Sequence, residues 1–179
     1  MIETARLTLR EWRDDDVPSF AAMCADPEVM RHLGGAQTRE AVEAAIARQR
    51  RMQDEHGHCF WPIERRSDGA LLGFCGLRLG GVPGTPVEGE LEIGWRLRRE
   101  AWSQGYAREA AAAALAWGWA HTDRPRIAAW TVPANVASWT LMERLGMTRR
   151  ADLDFAHPAF APGHLLSAHV VHALDRPAG

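Results

Sequence analysis

The sequence predicts a mixed α+β fold: one domain over residues 1–179, with a central, twisted, mostly antiparallel sheet of about seven strands and helices on both faces. Three observations carry this expectation. Short runs of apolar residues alternate with polar ones at period two, the mark of a half-buried strand. Longer stretches between them carry helical periodicity with start and stop signals. The order along the chain, β-α-α-β-β-β-α-β-α-β-β, lacks the regular strand–helix alternation of a doubly wound nucleotide fold.

Each element has a local cause. Leu7, Leu9 and Glu11 alternate with Thr8, Arg10 and Trp12 as a first strand. In "RDDDVPSFAAMCAD", aspartates stand where a helix start favours negative charge, and Pro18 falls in the first turn. A short helical piece around "PEVMRHL" stops at Gly34 and Gly35. Thr38 caps the next helix, which lines Val42, Ala45, Ile46 and Met52 on one face and ends at Gly57. "HCFWPIERR" and "ALLGFCGLRL" form a hairpin through Ser67, Asp68 and Gly69. After the Gly/Pro loop "GGVPGTPVEG" come a strand and an alanine-rich helix, the strand "RIAAWTV", the helix "NVASWTLMERLG", a strand at "MTRRADL" and a last alternating strand in the tail.

Bulk composition narrows the function. Net charge is −2 and all 21 basic residues are arginine. Nucleic acid therefore gains no general electrostatic support, and Schiff-base or P-loop lysine chemistry has no lysine to use. Cys24, Cys59 and Cys75 are odd in number and far apart, which reads as reduced packing thiols. No apolar run approaches the roughly 18–20 residues of a membrane span, so the expected location is the cytoplasm, with no membrane partner.

The most informative stretch is "LEIGWRLRREAWSQGYAREAAAAALAW", Leu91 to Trp117. A strand leads through a loop containing Gly105 into a helix with five successive alanines, and Arg98, Arg99 and Arg108 lie nearby. The first amides of a helix lack backbone partners and carry partial positive charge, which suits a phosphate. Any strand–helix unit needs such a turn, so the pattern by itself leaves an ordinary connection open.

"IGWRLRREAWSQGYAREA" resembles the acyl-CoA-binding motif of the GNAT acetyltransferase superfamily, and within it the RimJ/RimL-type N-acetyltransferases. "TARLTLREW", "ALLGFCGL", "VPANVASWTLMERLGM" and the closing "DLDFAHP…GHLLSAHVVHAL" resemble further segments of the family in the same order. The resemblance implies acetyl-CoA as co-substrate and transfer of its acetyl group to a primary amine, of a protein N-terminus or a small molecule. It implies that backbone groups of Trp95 and Leu97 hold the pantetheine arm. The amides of Ser103, Gln104, Gly105, Tyr106 and Ala107, with Arg108 beside them, then hold the pyrophosphate, and Asn135 adds a CoA contact. Two positions depart from the family's loop pattern: Glu100 brings negative charge, and Ser103 brings a Cβ where glycine permits closest approach.

Amine acetylation needs a base for the incoming ammonium. Period two puts Glu88, Glu90, Glu92 and Gly94 on one strand face, and the resemblance assigns the base role to Glu92. A solvated acidic stripe is the other reading, and three carboxylates there would favour a cationic acceptor. Where many relatives place a tyrosine acid, this chain has Met142; the resemblance points instead to Ser138. Asn135 and Ser138 also read as a helix cap and a first-turn surface serine. No cysteine is placed for covalent catalysis. The histidines of "HGHC" and of the tail lack a complete tetrahedral ligand set, so no metal is expected. Trp61 is a candidate wall of the acceptor pocket, and His172 reads as packing or as pocket lining. A non-catalytic acyl-CoA-binding module is the competing function, and a homodimer is compatible with the resemblance.

Overall fold

The computed structural model describes residues 1–177. Its strands are β1 (Ile2–Glu3), β2 (Leu7–Leu9), β3 (Phe60–Arg65), β4 (Leu71–Leu79), β5 (Leu91–Leu97), β6 (Arg126–Thr131), β7 (Thr148–Arg149), β8 (Phe155–Ala156) and β9 (Ala168–Asp175). The helices are α1 (Asp16–Ala25), α2 (Pro27–Met30), α3 (Arg39–His56), α4 (Tyr106–His121) and α5 (Val136–Arg144). The sheet runs β1-β2-β3-β4-β5-β6-β9-β7, with β8 against β9. Nine strands replace the expected seven because β1 and β8 are two-residue pieces, too short to show alternation.

The predicted punctuation is present. Thr38 accepts the Ala41 amide at 3.3 Å as the α3 cap, and Gly57 ends that helix at φ 75 with its N–H on the Gln53 carbonyl, 2.9 Å away. The hairpin at 67–69 closes with the Gly69 amide on the Arg65 carbonyl at 2.8 Å.

Strand parity separates two faces. Leu77, Ile93 and Ile127 point toward α4, where a Cβ on Gly118 would stand 2.6 Å from Leu77 and 3.1 Å from Ile127. Alanines at 110, 111 and 114 are fully buried, so five small residues in a row let the helix sit close on the sheet. The opposite face carries Phe60, Phe74, Gly76, Gly94 and Glu92, covered on one side by α1 through Phe20. On the other side lies a smaller cluster of Val82, Val87, Ala128, Phe155, Val171 and Ala173. Between these two covers Phe74, Glu92, Gly94 and Arg96 are only partly buried, and this uncovered strip of the face is the trough.

α1 is tied down by charge. Asp16 was expected to serve the helix dipole; instead it is 4 % exposed and takes both terminal nitrogens of Arg10 at 2.8 and 2.7 Å. Arg10 also reaches Glu64 on β3 at 2.7 Å. Burial pushes the Asp16 carboxyl up, but the bonds from Arg10 and from the Arg13 amide outweigh it and hold it below the usual range.

Candidate active site

β5 and β6 are the one parallel pair among the described residues, and they pair only at Leu91–Ile127 and Glu92–Ala128. Beyond Glu92 the strands diverge, β5 toward α4 and β6 toward α5. Ligands in open sheets collect at the carboxyl ends of parallel strands where such a crevice opens. The β4 register makes Glu92, Gly94 and Arg96 the residues bonded across to β4, as the flanking bonds of Gly80 to Glu90 (3.2 Å) and Arg98 to Leu72 (2.8 Å) require. The amides and carbonyls of Ile93, Trp95 and Leu97 therefore face the gap. The Leu97 carbonyl is already taken, by the Trp102 indole at 2.8 Å, which leaves its N–H.

At the mouth of the gap, α4 begins bare. Gly105 stands at the N-cap with φ 79 and supplies no side-chain cap. The amides of residues 103–108 have no hydrogen-bond acceptor among the described residues. Ser103 is left-handed, φ 58, the sole non-glycine with positive φ among them. That conformation costs an L-residue about 1–2 kcal/mol, and it turns the loop amides one way. Glu109 holds the helix start to the N-terminal hairpin, accepting from the Thr4 hydroxyl at 2.6 Å and the Arg6 amide at 2.9 Å. Beside it, Arg6, Arg65, Arg66, Ser67 and Tyr106 line a recess of about 500 Å³. Unbonded amides, a left-handed turn and surrounding guanidiniums together suit a diphosphate.

Glu92 occupies the last paired position before the gap. Its side chain is 12 % exposed, and its Oε2 accepts Arg78 Nη2 at 2.5 Å and Nε at 3.1 Å. Burial pushes its carboxyl up, opposed by the charge and hydrogen bonds of Arg78. The result is a carboxylate more basic than an ordinary glutamate, at the vertex of the gap.

The family model for the acetyltransferase (GNAT) domain matches residues 6–148. The chain is a GNAT acetyltransferase. It is 32 % identical over 147 residues to the uncharacterized protein YkkB of Bacillus subtilis (strain 168), covering 80 % of this chain and 83 % of that one. Among solved structures, an acetyltransferase from Agrobacterium tumefaciens str. C58 is 26 % identical with TM-score 0.78, over 97 % of this chain and 92 % of its own. At 15 % identity the fold alone is shared with the Salmonella typhimurium acetyl transferase that modifies the N-terminal serine of ribosomal protein L7/L12, TM-score 0.76, over 96 % of each chain. Members of this family transfer an acetyl group from acetyl-CoA, and the bare helix start and open strand edge fit that co-substrate.

The GNAT domain places the other expected residues as follows. Glu100 is 68 % exposed and 3.4 Å from Arg98, so solvent and that guanidinium offset its charge near the loop. Arg108 is exposed with no ion-pair partner among the described residues, whereas Tyr106 is buried beneath Arg6, whose guanidinium lies 4.5 Å above its ring. Asn135 begins α5 without capping it; its Nδ2 donates to Thr131 Oγ1 at 2.9 Å instead. Ser138 lies in the first turn of α5, half-buried, on the β6 flank of the gap. Met142 is 1 % exposed and belongs to the core.

Two expectations need correction. The acidic stripe is not free: Arg126 pairs with Glu90, Arg78 with Glu92, and Glu88 accepts the Gly84 amide at 2.8 Å in its loop. Trp61 does not wall the trough; it points to the α4 face, 5.1 Å from Trp117, and Phe60 and Phe74 floor the trough instead. Of the two readings of His172, packing holds: it is 2 % exposed beneath α5, with Nδ1 unbonded, and faces away from Glu92. Among the described residues no three histidine, cysteine or acidic side chains converge as a metal site. All three thiols are buried, which drives the Cys59 thiol up to about 12 and makes it a poor nucleophile.

Arg78 and Arg96 were missed by sequence reasoning, because strand register decides what an arginine meets. Ser103 offers a direct test of the loop. Ser103→Gly is expected to hold or raise the melting temperature without weakening acetyl-CoA binding. Ser103→Val, β-branched at positive φ, should lose about 1–2 kcal/mol of stability and bind CoA more weakly. Calorimetry and thermal melts read both.

Proposed function

We propose that this RimJ/RimL-type enzyme acetylates a primary amine by direct attack on acetyl-CoA, with Glu92 as proton acceptor. What supports the reading most is the position of Glu92: it is the last residue of β5 paired with β6, so a pantetheine arm laid along the open edge from the Ser103–Ala107 amides ends beside it. Trp95 and the Leu97 N–H hold the arm, and Arg108 and Asn135 flank it. The amine, shedding its proton to Glu92 directly or through water, attacks the thioester carbon. A backbone N–H facing the gap polarises the carbonyl, the C–S bond breaks, and the CoA thiolate leaves, taking a proton from Ser138 or solvent. No enzyme-bound acyl group is formed.

Arg78 sets the basicity of Glu92 and holds its carboxylate toward the trough. The acceptor is an amine of a protein N-terminus or a small molecule, and the buried thiols support a reducing, cytoplasmic setting. Sedimentation reads whether a second copy pairs with the chain. The deciding experiment is release of free thiol from acetyl-CoA with a panel of amines. Thiol release that depends on the amine is expected; tight acetyl-CoA binding with no release for any amine would make the chain a non-catalytic acyl-CoA module. Ser138→Ala is expected to lower kcat by less than tenfold, because a thiolate leaves readily.

A further inference from the structure

Phe60 and Phe74 stack on the trough floor, 5.2 Å apart and 12° from parallel. A guanidinium lies on each end of this ladder: Arg78 at 5.1 Å over Phe60, Arg96 at 5.3 Å over Phe74. The two ends differ in charge. Arg78 is clamped by Glu92, and on the same side of the sheet Arg126 has Glu90 and Arg10 has Asp16 and Glu64. Arg96 has no carboxylate partner among the described residues. Its Nη1 meets only the Cys24 sulfur at 3.3 Å, and its Nε is buried with no partner. Arg96 is partly buried and shares the face of Glu92 through strand parity.

A guanidinium cannot shed its charge, and an unsatisfied buried nitrogen is costly unless something completes it. Stacking on Phe74 pre-positions it without using its hydrogen-bonding edge. With Glu90 and Glu92 both paired to arginines, the free acidic stripe expected from sequence is replaced, among the described residues, by an arginine without a carboxylate beside Phe74.

We propose that Arg96 binds an anionic group of the acceptor, so that the preferred substrates are amines bearing a carboxylate several bonds from the nitrogen. This rests on the reading of Glu92 as the point where the amine reacts. Glu92 and Arg96 lie four residues apart on one strand, about 13 Å between their backbones. Two long side chains shorten that span, yet it exceeds the single carbon separating the groups of a free α-amino acid. A linear ω-amino carboxylate and a peptide N-terminus with an acidic residue near its start share this chemistry.

The test compares matched acceptors: 6-aminohexanoate with its amide, and Ala-Ala-Glu with Ala-Ala-Gln. The acid of at least one pair is expected to be favoured about tenfold or more in kcat/KM, mostly through KM. The pair showing it identifies the source of the carboxylate. Arg96→Met, which keeps the apolar stem over Phe74, should abolish the preference with acetyl-CoA affinity and melting temperature retained; Arg96→Lys should restore part of it. Equal rates for both acids and their amides, a preference surviving in Arg96→Met, or stronger turnover of spermidine than of either acid would overturn the proposal. Calorimetric binding of the four probes to the CoA-saturated protein makes the same comparison without turnover. Acid preference in binding without acetylation would sink the catalytic reading and leave this one standing, whereas acetylation without acid preference would do the reverse.

Discussion

Glu92→Gln is expected to lower kcat/KM for acetyl transfer by about 10²- to 10⁴-fold near neutral pH, with acetyl-CoA affinity retained. The amide keeps the shape of the side chain and a hydrogen-bonding oxygen for Arg78, but it takes no proton. Steady-state thiol release at several pH values, with acetyl-CoA binding measured alongside, reads the effect. Burial pushes the Glu92 carboxyl up while Arg78 opposes it, so the acid limb of the wild-type profile should lie above the ordinary glutamate range. Arg78→Met removes the opposing charge, and the limb should move to higher pH still. Turnover of Glu92→Gln within threefold of wild type, or a limb that Arg78→Met leaves in place, would assign Glu92 to structure alone.

Asp16→Ala should destabilise the fold by about 3–5 kcal/mol, because Arg10, 5 % exposed, would keep only Glu64 as a charged partner. That is a large part of the 5–15 kcal/mol available to a typical domain and corresponds to a fall in Tm of roughly 10 °C. Removing both charges in Arg10→Met/Asp16→Leu should recover much of the loss, since no buried charge then stays unpaired. A Tm drop under about 2 °C in Asp16→Ala would show that water compensates Arg10. The pH dependence has a definite sign. The folded-state carboxyl of Asp16 is held below its unfolded value, so its contribution is present above the ordinary aspartate range and is lost as pH falls through the depressed value. Acid denaturation of wild type should therefore be steeper than that of the double variant. Because α1 walls the trough through Phe20, a partly unfolded Asp16→Ala protein should lose acceptor binding before CoA binding.

Features governed by neighbours in sequence were legible. Thr38 and Gly57 bound α3 because caps act within one turn, and Gly105 opens α4 because the turn needs positive φ. Glu92 was reachable through the resemblance and through strand alternation. The charges around it were not: Arg78 is 14 residues away, Arg126 is 36 residues from Glu90, and nothing local records those pairings.

From the chain alone came the element order, the family resemblance and the bare start of α4, since periodicity, capping and turn chemistry are properties of short segments. Tertiary structure decided where β5 and β6 part, which carboxylates meet an arginine and that Arg96 meets none among the described residues. Those outcomes depend on register and burial, and a single-residue slip between strands would exchange every partner.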